Sequence, residues 1–504
     1  MKKIVKRILL VLPAVILQIL WYVVLFAFIK DKIPFISELL TFMALFFVLH
    51  IVNDQSQSSY KMMWVLLIMT FPVLGVCLYI IAGKNRTSKN LDKYLTKSKE
   101  ELNYELKTSE QVQSELKEKN LHLSQTLNCL SNYCGSPITY MKNYIYYPLG
   151  DNMFPDMIRA VKQAKKFIYM EYFIVEEGRF YNSLIDIFKE KVKEGVDVRI
   201  IYDDVGSVST YSFSNVKELE SYGIKCIPFN PLLTIKAQLN NRDHRKMLIV
   251  DNEIGFSGGV NIADEYINEK ERFGHWKDIG FCIDGDALNH YTYMFIEMWN
   301  AFSKDKIQKE NCLLPVLHNI NYQKGYVLSY YDSPAKDVHV SRSLLMDLFH
   351  NANKRVWIYT PYLILDDSMM DCLSSLAFRG VDVRIMVPAI PDKKVVYRIS
   401  LSYCKSLIEA GVKIYTYTPG FLHAKAVLID DDICTVGTVN LDYRSLYLHY
   451  ECNSVFYQCD IYNDVKKDME DTMEKSHLLQ KNEIKNSWFY NVINEVLRLF
   501  SPLL

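Results

Sequence analysis

Two segments of the chain carry the same reactive side chains at the same spacing. In each, a histidine stands two residues before a lysine and seven before an aspartate, and a G-x-x-N run follows at a matching distance. A single H-x-K-x4-D pattern arises by chance roughly a few times per hundred chains of this length, whereas two copies with the same continuation indicate one functional site built from both. The matching residues are His244, Lys246, Asp251, Gly258, Gly259 and Asn261 in the first segment and His423, Lys425, Asp430, Gly437, Thr438 and Asn440 in the second.

These side chains suit phosphoryl-group transfer without a metal ion. Residues i and i+2 of a strand face the same side, so each histidine and its lysine can reach one ligand. The lysines and asparagines would hold the charged oxygens of a phosphodiester. One neutral histidine would attack phosphorus and form a phospho-histidine, and the other would act as general acid and then as base. Because the displacement occurs in two steps, the phosphoryl group can pass to an alcohol or to water.

An internal repeat surrounds the two motifs. The shared GVDVRI predicts a helix end followed by a buried parallel strand, and residues 180–194 predict a helix between strands. Strands that alternate with helices predict α/β units with helices packed on a sheet. We therefore expect a duplicated α/β domain whose motifs form one site at the seam. The paired strand segments are 165–175 and 354–364, 194–204 and 379–389, and 222–229 and 410–417.

Three apolar stretches near the N-terminus predict a membrane module. They cover residues 8–29, 33–52 and 62–82, and each is long enough to cross the hydrocarbon core. Charged residues rather than a cleavage site follow the first stretch, which favours an anchor over a signal peptide. Basic residues flank the first and third stretches, which places both flanks in the cytoplasm. We expect two full crossings, with three as the alternative.

The segment 84–135 differs from both neighbours in composition. It is polar and rich in Lys, Glu, Ser and Leu, which predicts a charged helical linker on the membrane surface or in a stalk. A charge run of this kind is usually a solvated spacer. We therefore expect no chemistry in it.

The charge balance and the cysteine content bear on which ligands the protein binds and in which cellular compartment it lies. The chain has 58 Lys and Arg residues and 58 Asp and Glu residues. It therefore lacks the excess of basic residues that is typical of nucleic-acid-binding proteins. The 11 cysteines show no CxxC pair and no zinc-ligand spacing, which predicts free thiols and no metal site. Free thiols are typical of a reducing compartment. We therefore expect a catalytic body that faces the cytoplasm.

The motif contexts resemble bacterial cardiolipin synthases of the phospholipase D superfamily. The resemblance rests on NNRDHRKMLIVD…GFSGGVNIADEY (240–266), on LHAKAVLID…VGTVNLDYRSLYLHYE (422–451) and on the apolar YKMMWVLLIMTFPVLGVCLYIIAGK (60–84). It implies two phospholipase D-like α/β domains that form a pseudo-dimer, preceded by transmembrane helices. The implied order is a membrane module (1–83), the linker (84–135), a first domain (136–325) and a second domain (326–504).

The resemblance also implies a reaction and residue roles. Members join two phosphatidylglycerol molecules into cardiolipin and release glycerol, with no cofactor. The first-copy histidine, His244, would be the nucleophile and His423 the acid/base. An acidic residue is placed against each histidine, which assigns Glu451 to His423 and Asp278 to His244.

The resemblance bears on the remaining motif residues as well. Asp251 and Asp430 follow apolar strands and are expected to be structural. Gly259 and Thr438 stand where many members of the superfamily have serine, so one hydroxyl is missing at position 259.

Several alternatives remain open at this point. A hydrolytic phospholipase D, or a transferase that uses another alcohol, would need the same residues and differ only in acceptor access. A nuclease would need a basic groove and no anchor, which zero net charge and the apolar N-terminus disfavour. A scaffold without activity would show decay of at least one motif, and neither is decayed. The leading expectation is a multi-pass enzyme of the cell membrane that acts on phospholipid.

Overall fold

Two mixed β-sheets with helices packed against them form the body of the protein in the computed structural model, which confirms the expected α/β class. The structure describes residues 16, 20, 34–54, 57–83, 89–103, 107–231, 240–313, 325–334, 338–485 and 487–501. The strands are β1 (Thr139–Tyr140), β2 (Tyr144–Tyr147), β3 (Phe167–Tyr172), β4 (Asp197–Asp203), β5 (Lys225–Phe229), β6 (Lys246–Val250), β7 (Ile254–Gly258), β8 (His275–Lys277), β9 (Gly280–Ile283), β10 (Tyr326–Asp332), β11 (Arg355–Tyr359), β12 (Asp382–Pro388), β13 (Lys413–Tyr417), β14 (Gly420–Leu422), β15 (Ala426–Ile429), β16 (Ile433–Gly437), β17 (Glu451–Tyr457) and β18 (Ser476–Leu478).

Helices precede the first sheet and cover both sheets. Proline at the start of α3 and glycine after α6 fit the ends they occupy, since proline suits the first helical turn and glycine the left-handed position after a helix. The helices are α1 (Pro34–Val52), α2 (Ser58–Thr70), α3 (Pro72–Ala82), α4 (Lys89–Leu102), α5 (Glu110–Lys119), α6 (Leu121–Cys134), α7 (Gly150–Gln163), α8 (Arg179–Lys193), α9 (Phe213–Ser221), α10 (Asp286–Phe302), α11 (Val340–Asn351), α12 (Asp367–Phe378), α13 (Lys394–Glu409), α14 (Tyr443–Tyr447), α15 (Ile461–Glu474) and α16 (Trp488–Leu499).

The two sheets repeat one topology around their motifs. The seven-stranded sheet has the order β2-β9-β7-β6-β3-β4-β5, and the nine-stranded sheet has the order β1-β10-β17-β16-β15-β11-β12-β13-β18. In each, three parallel strands adjoin the antiparallel hairpin that carries the motif. The predicted strand segments and the buried parallel GVDVRI strands are therefore confirmed. The short strand β1 lies in the range expected for the first domain but pairs with β10 of the second sheet.

Aromatic side chains join the two sheets at the seam. The rings of Phe281 and Phe456, one from each copy, lie 5.6 Å apart, and those of Phe229 and Tyr450 lie 5.5 Å apart. All four side chains are buried. Because interiors pack densely, this shared core fixes the two motif strands relative to one another.

The linker helices are packed rather than solvated. Helix α4 lies along α10, and Ser98 Oγ donates to Glu297 O at 2.8 Å. Val112, Leu116 and Leu127 of α5 and α6 are buried in the core of the second domain. The expectation of helices in 84–135 is correct, but the expectation of a solvated spacer is wrong. The scattered leucines of this charged segment form an apolar face that the body covers.

The described part of the apolar N-terminal region, α1 to α3, forms helices that rest on the second domain. The stretch 8–29 falls outside the described residues apart from Ile16 and Leu20. The stretch 62–82 is divided between α2 and α3, because Phe71 leaves the helical conformation just before Pro72. Within the described ranges, no helix combines the length and apolar character needed to cross a membrane.

Candidate active site

Backbone hydrogen bonds across the seam bring the two motifs together. His244 N donates to Tyr450 O at 2.9 Å, and Tyr450 N donates to Arg242 O at 2.9 Å. In the other half, β14 lies parallel to β8, and His423 N donates to Lys277 O at 2.7 Å. Tyr450 and Lys277 each precede an acidic residue. The motif of one copy is therefore fixed beside the acid of the other copy.

Each histidine is paired with the acid of the opposite copy. His244 Nδ1 lies 2.9 Å from both carboxyl oxygens of Glu451, and His423 Nδ1 lies 2.6 Å from Asp278 Oδ2. The pairing expected from the resemblance, Glu451 with His423 and Asp278 with His244, is wrong. That expectation paired each histidine with the acid of its own copy. In the structure, the backbone just before each acid is hydrogen-bonded to the motif of the other copy.

Burial keeps both imidazoles neutral at neutral pH. Burial first, and then the charge of Lys246, lowers the pKa of His244 well below its usual value. Burial and Lys425 lower the pKa of His423 to about 4. Burial also raises the pKa of Glu451 well above its usual value. When Nδ1–H donates to a carboxyl oxygen, Nε2 keeps its lone pair, which is the state a nucleophile requires.

A buried lysine lies beside each histidine, as the strand spacing predicted. Lys246 Nζ donates to His244 O at 2.7 Å, and Lys425 Nζ donates to His423 O and lies 2.7 Å from His423 Nδ1. Burial lowers the pKa of Lys246 to about 8 and that of Lys425 to about 7. A bound phosphodiester anion would favour their charged forms. Within the described part of the chain, no group of three His, Cys, Asp or Glu side chains could hold a metal ion.

Gly259 and Thr438 occupy equivalent positions in the two copies, but they contact the neighbouring acidic side chains differently. Thr438 Oγ1 donates to Glu451 Oε2 at 2.5 Å. At Gly259 a Cβ would collide with Asp278 Oδ1, so any side chain there would displace the carboxylate. Asp278 Oδ1 accepts instead from the backbone N of Ile279 at 2.9 Å. The carboxylate of Asp278 therefore occupies the space that a side chain at position 259 would need.

The two asparagines are buried and oriented by neighbours. Asn261 Oδ1 accepts from Ile174 N at 3.1 Å, and its Nδ2 donates to Tyr266 OH at 2.8 Å. Asn440 Nδ2 donates to Asp442 Oδ2 at 3.0 Å, and its buried Oδ1 has no hydrogen-bond partner among the described residues. Contact of these amides with a phosphate remains a prediction.

The two aspartates of the motifs lie at the far ends of the motif strands from the histidines. Each has a positive φ, +56° for Asp251 and +49° for Asp430, which aspartate tolerates better than most residues. Each carboxylate accepts hydrogen bonds from successive backbone N–H groups at the start of the neighbouring strand, as a structural role requires. The donors are Lys165, Lys166 and Phe167 to Asp251, and Asn353, Lys354 and Arg355 to Asp430.

Aromatic rings that the sequence did not single out surround both histidines. The rings of Phe173 and His449 lie 4.9 and 6.0 Å from the ring of His244. The ring of Trp276 lies 5.6 Å from the ring of His423. A signal was present in the sequence, because His449 and Trp276 each stand two residues before an acid of the site.

Comparisons with known proteins agree on one family. The family described as "Cardiolipin synthase, PLD-like domain" matches residues 157–299 and 345–473, and "Phospholipase_D-nuclease N-terminal" matches 39–84. A cardiolipin synthase from Halalkalibacterium halodurans is 32% identical over 473 residues, which cover 93% of this chain and 93% of that protein. Cardiolipin synthase 1 from Bacillus cereus is 32% identical over 479 residues, which cover 92% of each.

A solved structure shares the fold of the body. The phosphatidylserine synthase from Haemophilus influenzae superposes with a TM-score of 0.59 and covers 75% of this chain and 97% of its own. At 16% identity this likeness concerns the fold alone. The family match, by contrast, spans more than half of the chain, and the curated relatives align over more than nine-tenths of it. The chain therefore belongs to the bacterial cardiolipin synthases of the phospholipase D superfamily, a family of phosphatidyltransferases.

Proposed function

We propose that this protein joins two phosphatidylglycerol molecules into cardiolipin, releases glycerol, and forms a phospho-histidine on the way. The observation that carries the proposal is the crossed pair of buried histidine–acid dyads, His244 with Glu451 and His423 with Asp278, each beside a buried lysine. Two equivalent bases at one seam suit a displacement in two steps. The related cardiolipin synthases support the choice of lipid.

In the first step, His244 Nε2 attacks phosphorus of the donor phosphatidylglycerol. An N–P bond forms, the bond from phosphorus to the glycerol headgroup oxygen breaks, and the phosphatidyl group is now held on His244. His423 gives its Nε2 proton to the leaving glycerol oxygen, so that glycerol departs neutral. The substrate anion favours the protonated form of His423, which burial disfavours.

In the second step, the headgroup hydroxyl of another phosphatidylglycerol attacks the same phosphorus. His423 accepts the hydroxyl proton, a new P–O bond forms, the N–P bond breaks, and cardiolipin leaves. Lys246 and Lys425 hold the phosphoryl oxygens throughout. Water in place of the lipid hydroxyl would give phosphatidic acid, which is the outcome for a hydrolytic phospholipase D. Another alcohol in its place would give a different phospholipid.

The proposal places the enzyme at the cell membrane as a multi-pass protein with its body in the cytoplasm. The described helices α1 to α3 expose many large apolar side chains, among them Phe42, Phe46 and Leu49. Contiguous apolar surface of this kind is rare on soluble monomers and typical of a lipid-facing region. Two of the apolar stretches 8–29, 33–52 and 62–82 would supply the crossings, with all three as the alternative.

The test is to incubate purified protein with labelled phosphatidylglycerol and to resolve the products. We expect cardiolipin and glycerol in equal amounts. Phosphatidic acid as the sole product would refute the synthase and favour the hydrolase. His244→Ala and His423→Ala should each abolish turnover, whereas His350→Ala, at an exposed histidine of α11, should match the wild type. A chelator should leave the rate unchanged.

A further inference from the structure

The pseudo-symmetry of the site extends to a pair of rings that flank the histidines. Trp276 stands two residues before Asp278, and His449 stands two residues before Glu451. Residues two apart on an extended strand project to the same side. Because the acids are crossed, Trp276 packs on His423 and His449 packs on His244, with ring centroids 5.6 and 6.0 Å apart.

Both rings bury polar nitrogens that have no partner among the described residues. Trp276 is 5% exposed and His449 is 8% exposed. Indole Nε1 of Trp276 and both ring nitrogens of His449 are buried without a hydrogen bond. Buried polar groups in native proteins nearly always have a partner, and these orphans at equivalent positions in the two half-sites leave nitrogens that a bound ligand can satisfy. The ligand must accept hydrogen bonds, since an indole N–H can only donate.

The charges around His449 indicate that this acceptor is an anion. The cations Arg242, Arg444 and Lys246 act on the His449 ring, and together with burial, the largest cause, they lower its pKa well below the usual value. A neutral imidazole in such surroundings retains one N–H donor. Each half-site therefore contains one neutral N–H donor, from Trp276 or His449, in addition to its lysine.

We propose that His449 and Trp276 form a second pair of hydrogen-bond donors to the phosphoryl group, one beside each histidine of the site. The inference rests on the proposed function only for the identity of the lipid, because any phosphodiester or phosphate would present the same oxygens. Donors fixed by burial need no reorganisation when negative charge develops on the phosphoryl oxygens.

The first test measures binding of inorganic phosphate to the purified full-length protein by calorimetry, without turnover. His449→Phe keeps the ring and removes its nitrogens, and Trp276→Phe removes the indole N–H. We expect each substitution to weaken phosphate binding by roughly tenfold or more, since a hydrogen bond to a charged group is lost. His350→Phe is the matched control and should bind as the wild type does. Because His449→Phe can disturb folding, His449→Leu is measured beside it, with thermal midpoints for every variant.

The outcomes separate this inference from the proposed function. Wild-type affinity in both His449 variants would overturn the assignment of His449, and wild-type affinity in Trp276→Phe would overturn that of Trp276. Partial recovery in His449→Gln, whose amide can donate, would support a donor role over a packing role. If the wild type binds phosphate through these residues but yields only phosphatidic acid, the synthase proposal fails and the donor assignment stands.

Discussion

At the scale of single residues, the crossed acids decide what each histidine can do. Under the proposed mechanism, the crossing predicts that loss of Glu451 impairs His244 as nucleophile, whereas loss of Asp278 impairs His423 as general acid. A phosphatidyl ester with a p-nitrophenol leaving group needs no protonation, so it bypasses the general acid. We expect this substrate to restore phospho-enzyme formation in Asp278→Asn and His423→Ala but not in Glu451→Gln.

The measurement is trapping of labelled phospho-enzyme after rapid mixing. His244→Ala serves as the control that lacks the attacking nitrogen, and it should give no labelled protein with either leaving group. If Asp278→Asn behaved like His244→Ala while Glu451→Gln was rescued, the acids would act within their own copies and the crossed arrangement would not govern catalysis.

Deprotonation of the two lysines is expected to lower the reaction rate at alkaline pH. Burial lowers the pKa of Lys425 to about 7 and that of Lys246 to about 8, so the free enzyme loses positive charge as pH rises through this range. We expect kcat/KM to fall above about pH 7 and kcat to fall only at higher pH, because bound substrate favours the charged lysines. Steady-state rates from about pH 5.5 to 9 would show this, and a kcat/KM that stays flat to pH 9 would contradict it.

At the scale of elements, each motif aspartate joins two strands through backbone hydrogen bonds. Asp430 ties the end of β15 to the start of β11 through three backbone N–H groups. We expect Asp430→Ala to lower the free energy of unfolding by roughly 2–4 kcal/mol. Asp430→Asn keeps an acceptor and tolerates the positive φ, so it should lose less. Urea unfolding measures both.

The rate per folded molecule then separates a structural from a chemical role. In Asp430→Ala the folded fraction should retain a kcat near that of the wild type. A stable variant with a greatly reduced kcat would instead place Asp430 in the chemistry. Asp251 has the same contacts in the other copy and should behave in the same way.

The elements also show what the sequence can predict. Local sequence patterns suffice to predict β3, β4, β6 and the glycines at strand ends. Apolar runs that are bounded by glycine define such short segments without any information from the rest of the chain. The pairing of His244 with Glu451 joins residues 207 positions apart and depends on backbone bonds at the seam, which no local pattern encodes. The expectation of a solvated linker fails for a related reason. Its apolar side chains are sparse, and only the tertiary fold shows that the body covers them.

At the scale of the whole molecule, the N-terminal helices lie next to the second motif. The rings of Tyr60 in α2 and Tyr443 in α14 stack with centroids 6.0 Å apart. Tyr443 follows Asn440 of the motif by three residues. The apolar helices therefore pack against the segment that follows the second motif and also expose a face outward. This arrangement places an exposed apolar surface on the same body as the paired histidines.

A final prediction concerns the exposed stripe of α1. Phe42, Phe46 and Leu49 recur on one face and are 69%, 64% and 60% exposed. Burial of each such side chain in lipid contributes about 1.5–3 kcal/mol, so replacing all three by serine should weaken vesicle binding by at least about a hundredfold. Sedimentation with phosphatidylglycerol vesicles measures this, and Phe378→Ser, at a residue 76% exposed on α12, is the matched control. Turnover on detergent-dispersed substrate should persist in the triple variant, because the histidines, acids and lysines are untouched. Unchanged vesicle binding would show that the exposed stripe of α1 does not contribute to membrane attachment.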